Sequence, residues 1–312
     1  MRIYRYSECD RIGDGCVIAL GFFDGVHLGH RELLRSARER AEAMKLPLGV
    51  FTFTTDSPIK KGKKIYSDSE RCALLREAGA DFALICSFGE VSELSPEDFV
   101  LKVLIGKLSA RVAVAGFNYR FGKGASGDAA ALTHLMERAG GCALICEDVT
   151  LDGETVSTTR IKARLEAGEV AEAARLLGAP FRISGEVTHG NSVGRKLGFP
   201  TVNTSRDEWL LLPRRGVYRT ATVIDGKVFS ALTNVGSCPT FGDRDVHCET
   251  YILDFDGDLY GRNITVYFLD YLREEIRFES EKELIMQINI DKSRIIKENG
   301  DAKWQELGLN LQ

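Results

Sequence analysis

The sequence predicts two domains of different class. The first, over residues 1–180, is an α/β, Rossmann-like layer with a mostly parallel sheet; the second, over 181–312, is a small antiparallel β-barrel with a C-terminal helix. Three observations carry this. Short apolar runs alternate with amphipathic helical segments through the first half. The second half changes to alternating segments separated by turn signals. A chain of 312 residues is also long enough for about two cores.

In the first half, "VIAL" (17–20), "LPLGVFTF" (46–53), "DFALIC" (81–86), "RVAVA" (111–115) and "CALIC" (142–146) read as buried strands. Leu33, Leu34, Ala37, Ala41 and Met44 form a stripe at helical spacing, which predicts a helix opening at about Arg31. In "SPED", Ser95 is an N-cap, Pro96 the first helical residue, and acids follow in the first turn. The texture changes after "LLGAPF" (176–181). Then come "RTATVI" (219–224), "KVFSALTNVG" (227–236), "CETYILDF" (248–255) and "NITVYFLDYL" (263–272). Asp225-Gly226 and Asp256-Gly257 read as tight hairpin turns. Ser280 and Glu283 predict a capping box for the final helix.

Hydrophobic residues make up 44% of the chain and charged residues 28%, as in ordinary globular proteins. A net charge of -4 argues against a general electrostatic grip on nucleic acid. No apolar run approaches the ~20 residues that span a bilayer, so no membrane partner is expected. The polar N-terminus lacks the apolar core of a signal peptide, and the expected location is the cytoplasm. The eight cysteines are accordingly read as reduced thiols, with Cys86, Cys142 and Cys146 as small buried hydrophobes. Cys238, His247 and Cys248 fit no usual zinc spacing.

The stretch "GFFDGVHLGH" (21–30) holds His27 and His30, two of five histidines. As metal ligands they are too few, and a purely structural loop is the plain alternative. Yet a strand ends at Leu20, glycines stand at 21, 25 and 29, and a helix follows. A strand, a Gly-rich turn and a helix start together make a place where α/β proteins bind phosphate. Imidazoles there can donate hydrogen bonds to charge building on a phosphoryl group.

This stretch resembles the H-x-G-H signature of the nucleotidyltransferase superfamily, in the form carried by the FMN adenylyltransferase half of prokaryotic bifunctional FAD synthetases. A second superfamily signature is matched by "STTRIK" (157–162), again at a predicted helix start. The resemblance implies that His27 and His30 act on the ATP phosphates, with Gly21, Phe22 and Gly29 in the same nucleotide-binding loop. Ser157, Thr158, Thr159, Arg160 and Lys162 would close the other side, and Asn118 of "GFNYRFG" (116–122) would join them. The chain departs from the family pattern in three places: "TFTTDSP" (52–58) stands for T-F-x-P-H-P, Asn118 for an acid, and Lys162 for an arginine. The implied reaction is attack of the FMN phosphate on the α-phosphorus of ATP, releasing pyrophosphate, with Mg²⁺.

The second half opens on "GEVTHGNSVGRKLGFPTVN" (185–203), whose glycines and Arg195-Lys196 suggest a loop over a polyanion; a glycine-rich hairpin is the alternative. If "PTVN" is extended, Thr201 and Asn203 share a face, and their oxygens suit a hard cation. The stretch resembles the riboflavin kinase signature, with Val202 for its alanine, and further blocks match through residue 300. The resemblance implies that Gly190, Arg195 and Lys196 bind ATP, that Thr201 and Asn203 hold Mg²⁺, and that Arg273 borders the flavin. The family's catalytic acid falls on Glu249. A carboxylate suits that role, accepting the proton of the riboflavin 5′-hydroxyl as it attacks the γ-phosphorus of ATP. Glu249 alternates with Tyr251 and Leu253 onto one face; a solvent-facing glutamate on an edge strand is the other reading. The resemblance spans almost the whole chain. Its substrates and products would be riboflavin, FMN, FAD and ATP. The alternatives are a kinase with a degenerate first half, or a regulatory protein that binds flavin or nucleotide.

Overall fold

The structure, a computed structural model, describes residues 1–56, 62–188, 197–204, 207–237 and 246–298. Gly190, Arg195, Lys196 and Cys238 lie outside these residues. The chain divides into two compact units, Met1–Thr158 and Thr159–Gln312.

In the first unit, six strands form one sheet: β1 (Arg2–Arg5), β2 (Cys16–Leu20), β3 (Leu48–Phe53), β4 (Phe82–Cys86), β5 (Ala110–Gly116) and β6 (Cys142–Cys146). Their spatial order is β1-β4-β3-β2-β5-β6, and every pairing is parallel. All residues of β2 and β4 are buried, as continuous apolar runs covered on both faces should be. The five expected strands are present; β1 was not legible, because "RIYR" is a short, charged edge strand. Cys86 is buried in the core, whereas Cys142 and Cys146 on edge strand β6 are half-buried.

Helices α1 (Leu28–Met44), α2 (Asp68–Glu77), α3 (Pro96–Asp98, continued with π-type bonding over Phe99–Lys107) and α4 (Ala129–Arg138) follow their strands. Leu33, Leu34, Ala37 and Ala41 of α1 are buried, but Met44 is exposed because the helix ends at its own carbonyls with Lys45 left-handed. Ser95 caps α3, accepting from the Asp98 N–H at 3.0 Å. A short hairpin, β7 (Thr150–Leu151) and β8 (Glu154–Thr155), turns at Asp152-Gly153. Gly49 of β3 is closely packed: a Cβ there would lie 2.2 Å from the Phe82 ring. Gly49→Ala should therefore lower the unfolding free energy of this unit by about 1–3 kcal/mol, measured by urea titration.

The second unit begins with α5 (Thr158–Glu166, shared at its first residue) and α6 (Val170–Leu177). Six strands then close an antiparallel barrel: β9 (Arg182–Thr188), β10 (Thr201–Thr204), β11 (Gly216–Ile224), β12 (Lys227–Ser237), β13 (Val246–Ile252) and β14 (Asn263–Arg273). Asp225 and Gly226 both take positive φ, joining β11 to β12 by the expected two-residue turn. Asp256-Gly257 is no tight hairpin: β13 ends at Ile252 and β14 starts at Asn263, and the longer loop between them lines a cavity. Inside the barrel, the hydroxyls of Thr220, Thr233 and Thr250 satisfy one another at 2.8 and 2.9 Å.

Helix α7 (Glu281–Glu298) follows the last strand. The Ser280 hydroxyl accepts from the Glu283 N–H, while Glu283 reaches back to the N–H of Glu279. Ile295 of α7 packs with Val217, Leu232 and Leu253 on the outside of the barrel.

Candidate functional sites

Strands β3 and β4 lie to one side of β2, and β5 and β6 lie to the other, so the chain reverses its direction of travel between β2 and β5. Open parallel sheets bind ligands in the crevice beyond the carboxyl ends of strands at such a point. Residues 21–30 leave β2 there, and Asn118 lies exposed in the turn that leaves β5.

Helix α1 begins at Leu28, three residues earlier than its apolar stripe indicates. The reason is that His27 is its N-cap: Nδ1 accepts from the His30 N–H at 3.4 Å. Serine, threonine, aspartate and asparagine usually fill that position. Accepting through Nδ1 puts the proton of a neutral His27 on Nε2, as a donor. The His27 and His30 rings stack with centroids 3.7 Å apart, and His30 meets Phe23 edge-on at 5.1 Å. Gly29 keeps this packing relaxed, since a Cβ there would press on the His27 ring at 3.3 Å. The same holds at Gly21, where a Cβ would be 3.1 Å from Phe23. These two glycines thus make room for the loop's own rings.

The turn before the cap is strained. Phe23 and Val26 have φ of 55° and 43°, on either side of Gly25 at 92°. Left-handed backbone in a bulky or β-branched residue costs on the order of 1–3 kcal/mol and persists only where the surroundings hold it. The surroundings do so. The buried Asp24 carboxylate accepts from the Ile65 N–H at 2.8 Å, and its carbonyl accepts from the Thr158 hydroxyl at 3.2 Å. The two sequence signatures therefore meet at Asp24 and Thr158. Ser157 is half-buried beside that contact; Thr159, Arg160 and Lys162 lie on α5, within the second unit. Asp24, Ile65 and the buried Arg71 behind Phe22 were not singled out from the sequence. A signal existed for Arg71: it sits three and four residues before Leu74 and Leu75, on the buried face of α2.

In the barrel, strand register builds a second constellation. Asn203 of β10 pairs with Glu249 of β13, which pairs with Asn234 of β12. Thr201 pairs with Tyr251, and Tyr251 with Leu232. Cross-strand partners point to the same side, so Thr201, Asn203, Glu249 and Asn234 share one face. Glu249 is half-buried, and burial pushes its carboxyl pKa up from the ordinary value, with His247 pulling modestly the other way. A cavity of about 250 Å³ at this end of the barrel is lined by Thr201 and Asn203 together with Val202, Phe255, Asp256 and Tyr260 among others, but not by Glu249 or Asn234. A hydroxyl, an amide oxygen and a neighbouring carboxylate are hard donors that suit Mg²⁺ carried with phosphate oxygens. Asn234 went unassigned in the sequence, although an asparagine inside a strand pattern is itself a signal. Arg273 ends β14 with its guanidinium engaged by Asp291 of α7 at 2.8 and 3.0 Å. Gln287 adds a further bond to Asp291 at 3.0 Å.

A Rossmann-like sheet with a phosphate-type turn at its switch point, followed by a closed barrel carrying a carboxylate among oxygen donors, defines a two-unit protein suited to nucleotides. A family model described as FAD synthetase matches residues 9–160, and one described as riboflavin kinase matches 177–298. The chain is 37% identical over 288 residues to the bifunctional riboflavin kinase/FMN adenylyltransferase of Pseudomonas fluorescens, covering 89% of this chain and 91% of the relative. It is 33% identical to the protein of the same name from Bacillus subtilis, over 90% and 92% of the two chains. A crystal structure described as a macrolide-efflux protein from Streptococcus pneumoniae superposes with a TM-score of 0.84 at 30% identity, covering 94% of this chain and 98% of that one. Among the described residues no helix is long and apolar enough to cross a membrane. The chain belongs to the bifunctional riboflavin kinase/FMN adenylyltransferase family.

Proposed function

We propose that the chain phosphorylates riboflavin to FMN in its barrel unit and adenylylates FMN to FAD in its Rossmann-like unit, with ATP as the co-substrate of both steps. The proposed division between the two activities lies near residues 180–181, beyond α5 and α6, which pack with the second compact unit from Thr159 onward. The carrying observation is the row Asn203–Glu249–Asn234, where a carboxylate with a raised pKa pairs across strands with amide side chains, one of which, Asn203, lines a cavity.

In the kinase step the cavity takes the nucleotide, and Thr201 and Asn203 face its phosphates. Bound there, Mg²⁺ would neutralise phosphate charge and orient the γ-phosphoryl group. Glu249 accepts the proton of the riboflavin 5′-hydroxyl as that oxygen attacks phosphorus. Its raised pKa brings it nearer the value a general base needs. Arg273, tied to Asp291, borders the flavin through the helix it anchors. Gly190, Arg195 and Lys196, outside the described residues, would bind the ATP phosphates, as the family resemblance implies.

For adenylyl transfer, the Nε2–H of His27, together with His30, donates to the phosphate oxygens as the FMN phosphate attacks the α-phosphorus and pyrophosphate leaves. Gly21, Phe22 and Gly29 shape that loop, and Asn118, Ser157, Thr158, Thr159, Arg160 and Lys162 are the further ATP-binding residues that the family resemblance implies. We place this activity in the cytoplasm, where the eight cysteines would stay reduced.

The test is to incubate the protein with riboflavin, ATP and Mg²⁺ and to resolve the flavins by chromatography over time. FMN should rise first and FAD follow. FMN without FAD would reduce the protein to a kinase with a degenerate first unit, and no conversion at all would leave a binding protein.

A further inference from the structure

Arg71 lies on α2 with 1% of its surface exposed, and its fork spans two strand ends. Nη1 donates to the Phe22 carbonyl at 2.7 Å, just beyond β2. Nη2 donates to the Phe53 carbonyl at the end of β3 and to Asp68 Oδ1 at 2.7 Å. The same Asp68 oxygen accepts from the Thr55 N–H at 3.0 Å, so the segment after β3 joins the network. Thr52 adds a second bond to the Phe22 carbonyl, at 2.9 Å. The guanidinium carbon also sits 4.9 Å from the Phe22 ring centroid. Phe22 is the residue before the left-handed turn Phe23–Val26, and that turn leads directly into the His27 cap. A planar fork can hold two carbonyls and a carboxylate at once; an ammonium on a flexible stem cannot hold the same geometry.

We propose that Arg71 is a positioning residue for adenylyl transfer: it clamps the carboxyl ends of β2 and β3 so that the strained turn presents the His27 imidazole in one orientation. The inference rests on the assignment of adenylyl transfer to the Rossmann-like unit. Arg71 touches no reacting atom in this role. It acts through the backbone of Phe22.

The experiment compares wild type, Arg71→Lys, Arg71→Met and Thr52→Val as full-length proteins. It reads FMN-to-FAD and riboflavin-to-FMN rates, and the ¹⁵N shifts of the His27 ring. The expected result for Arg71→Lys is a kcat for FAD formation lowered about 10-fold or more with the KM for ATP little changed, since a misplaced group loses rate rather than binding. Arg71→Met should lose more, so that lysine counts as partial rescue, and the kinase rate should be unchanged in both. The His27 shifts should report the Nε2–H tautomer in wild type and a mixture in the variants. A wild-type kcat in Arg71→Lys overturns the proposal, as does equal loss of both reactions or unchanged His27 shifts. Should Arg71→Met not fold, Arg71→Lys and Thr52→Val carry the test, and wild-type kcat and shifts in both overturn it. A wild type that makes no FAD from FMN refutes the function itself, a failure distinct from an active wild type matched by Arg71→Lys.

Discussion

Glu249→Gln is expected to slow FMN formation by about 100-fold to 10,000-fold, the range a positioned general base contributes. Conversion of added FMN to FAD should continue at close to the wild-type rate. The substitution preserves shape and removes only the ability to take a proton. It also gives a stability signature that a damaged fold would not. The folded pKa of Glu249 is raised by burial, so its contribution to stability is present at low pH and lost as pH rises through that value. At neutral pH the charged carboxylate is therefore a net cost, and Glu249→Gln should melt at or above the wild-type temperature. The same shift sets the pH profile. Glu249 works only when ionised, so the kinase rate should fall with decreasing pH on a limb placed above the ordinary glutamate range. The residual rate of Glu249→Gln should lack that limb. A variant with normal FMN formation, or with both reactions lost together, would remove the base assignment.

His27→Asn should lower FAD synthesis by about 100-fold or more, as loss of one preorganised transition-state donor does, while riboflavin phosphorylation is unaffected. Asparagine is chosen because it is among the best N-cap residues and can still accept from the His30 N–H. The helix start and the melting temperature should then survive, and the loss belongs to the imidazole. Because the interaction is assigned to the transition state, kcat and kcat/KM should fall together. A rise in KM for ATP at constant kcat would instead mark His27 as an ordinary binding group. Retained FAD synthesis would return the histidine pair to a capping role alone.

The glycine-rich turn after "VIAL", the alternation of runs and the switch to period-two segments were legible along the chain, because strand and helix periodicity and turn residues are local properties. So were the two signatures and the Asp225-Gly226 hairpin. What escaped is equally specific. The early start of α1 depends on His27 acting as a cap, which its residue type does not advertise. Asp256-Gly257 fits a tight turn by residue type, yet the loop after Ile252 is longer and curves to line a cavity. Sequence alone determined that Thr201 and Asn203 would share a face and that Glu249 would alternate with Tyr251, since period two belongs to any extended chain. Only the closed barrel decided that Asn203, Glu249 and Asn234 stand in one row, because register is set by strands far apart in sequence. Only the parallel sheet brought Asp24 to Thr158, and Arg71 to the ends of β2 and β3. Local pattern names the groups; long-range packing decides which of them can act on the same phosphate.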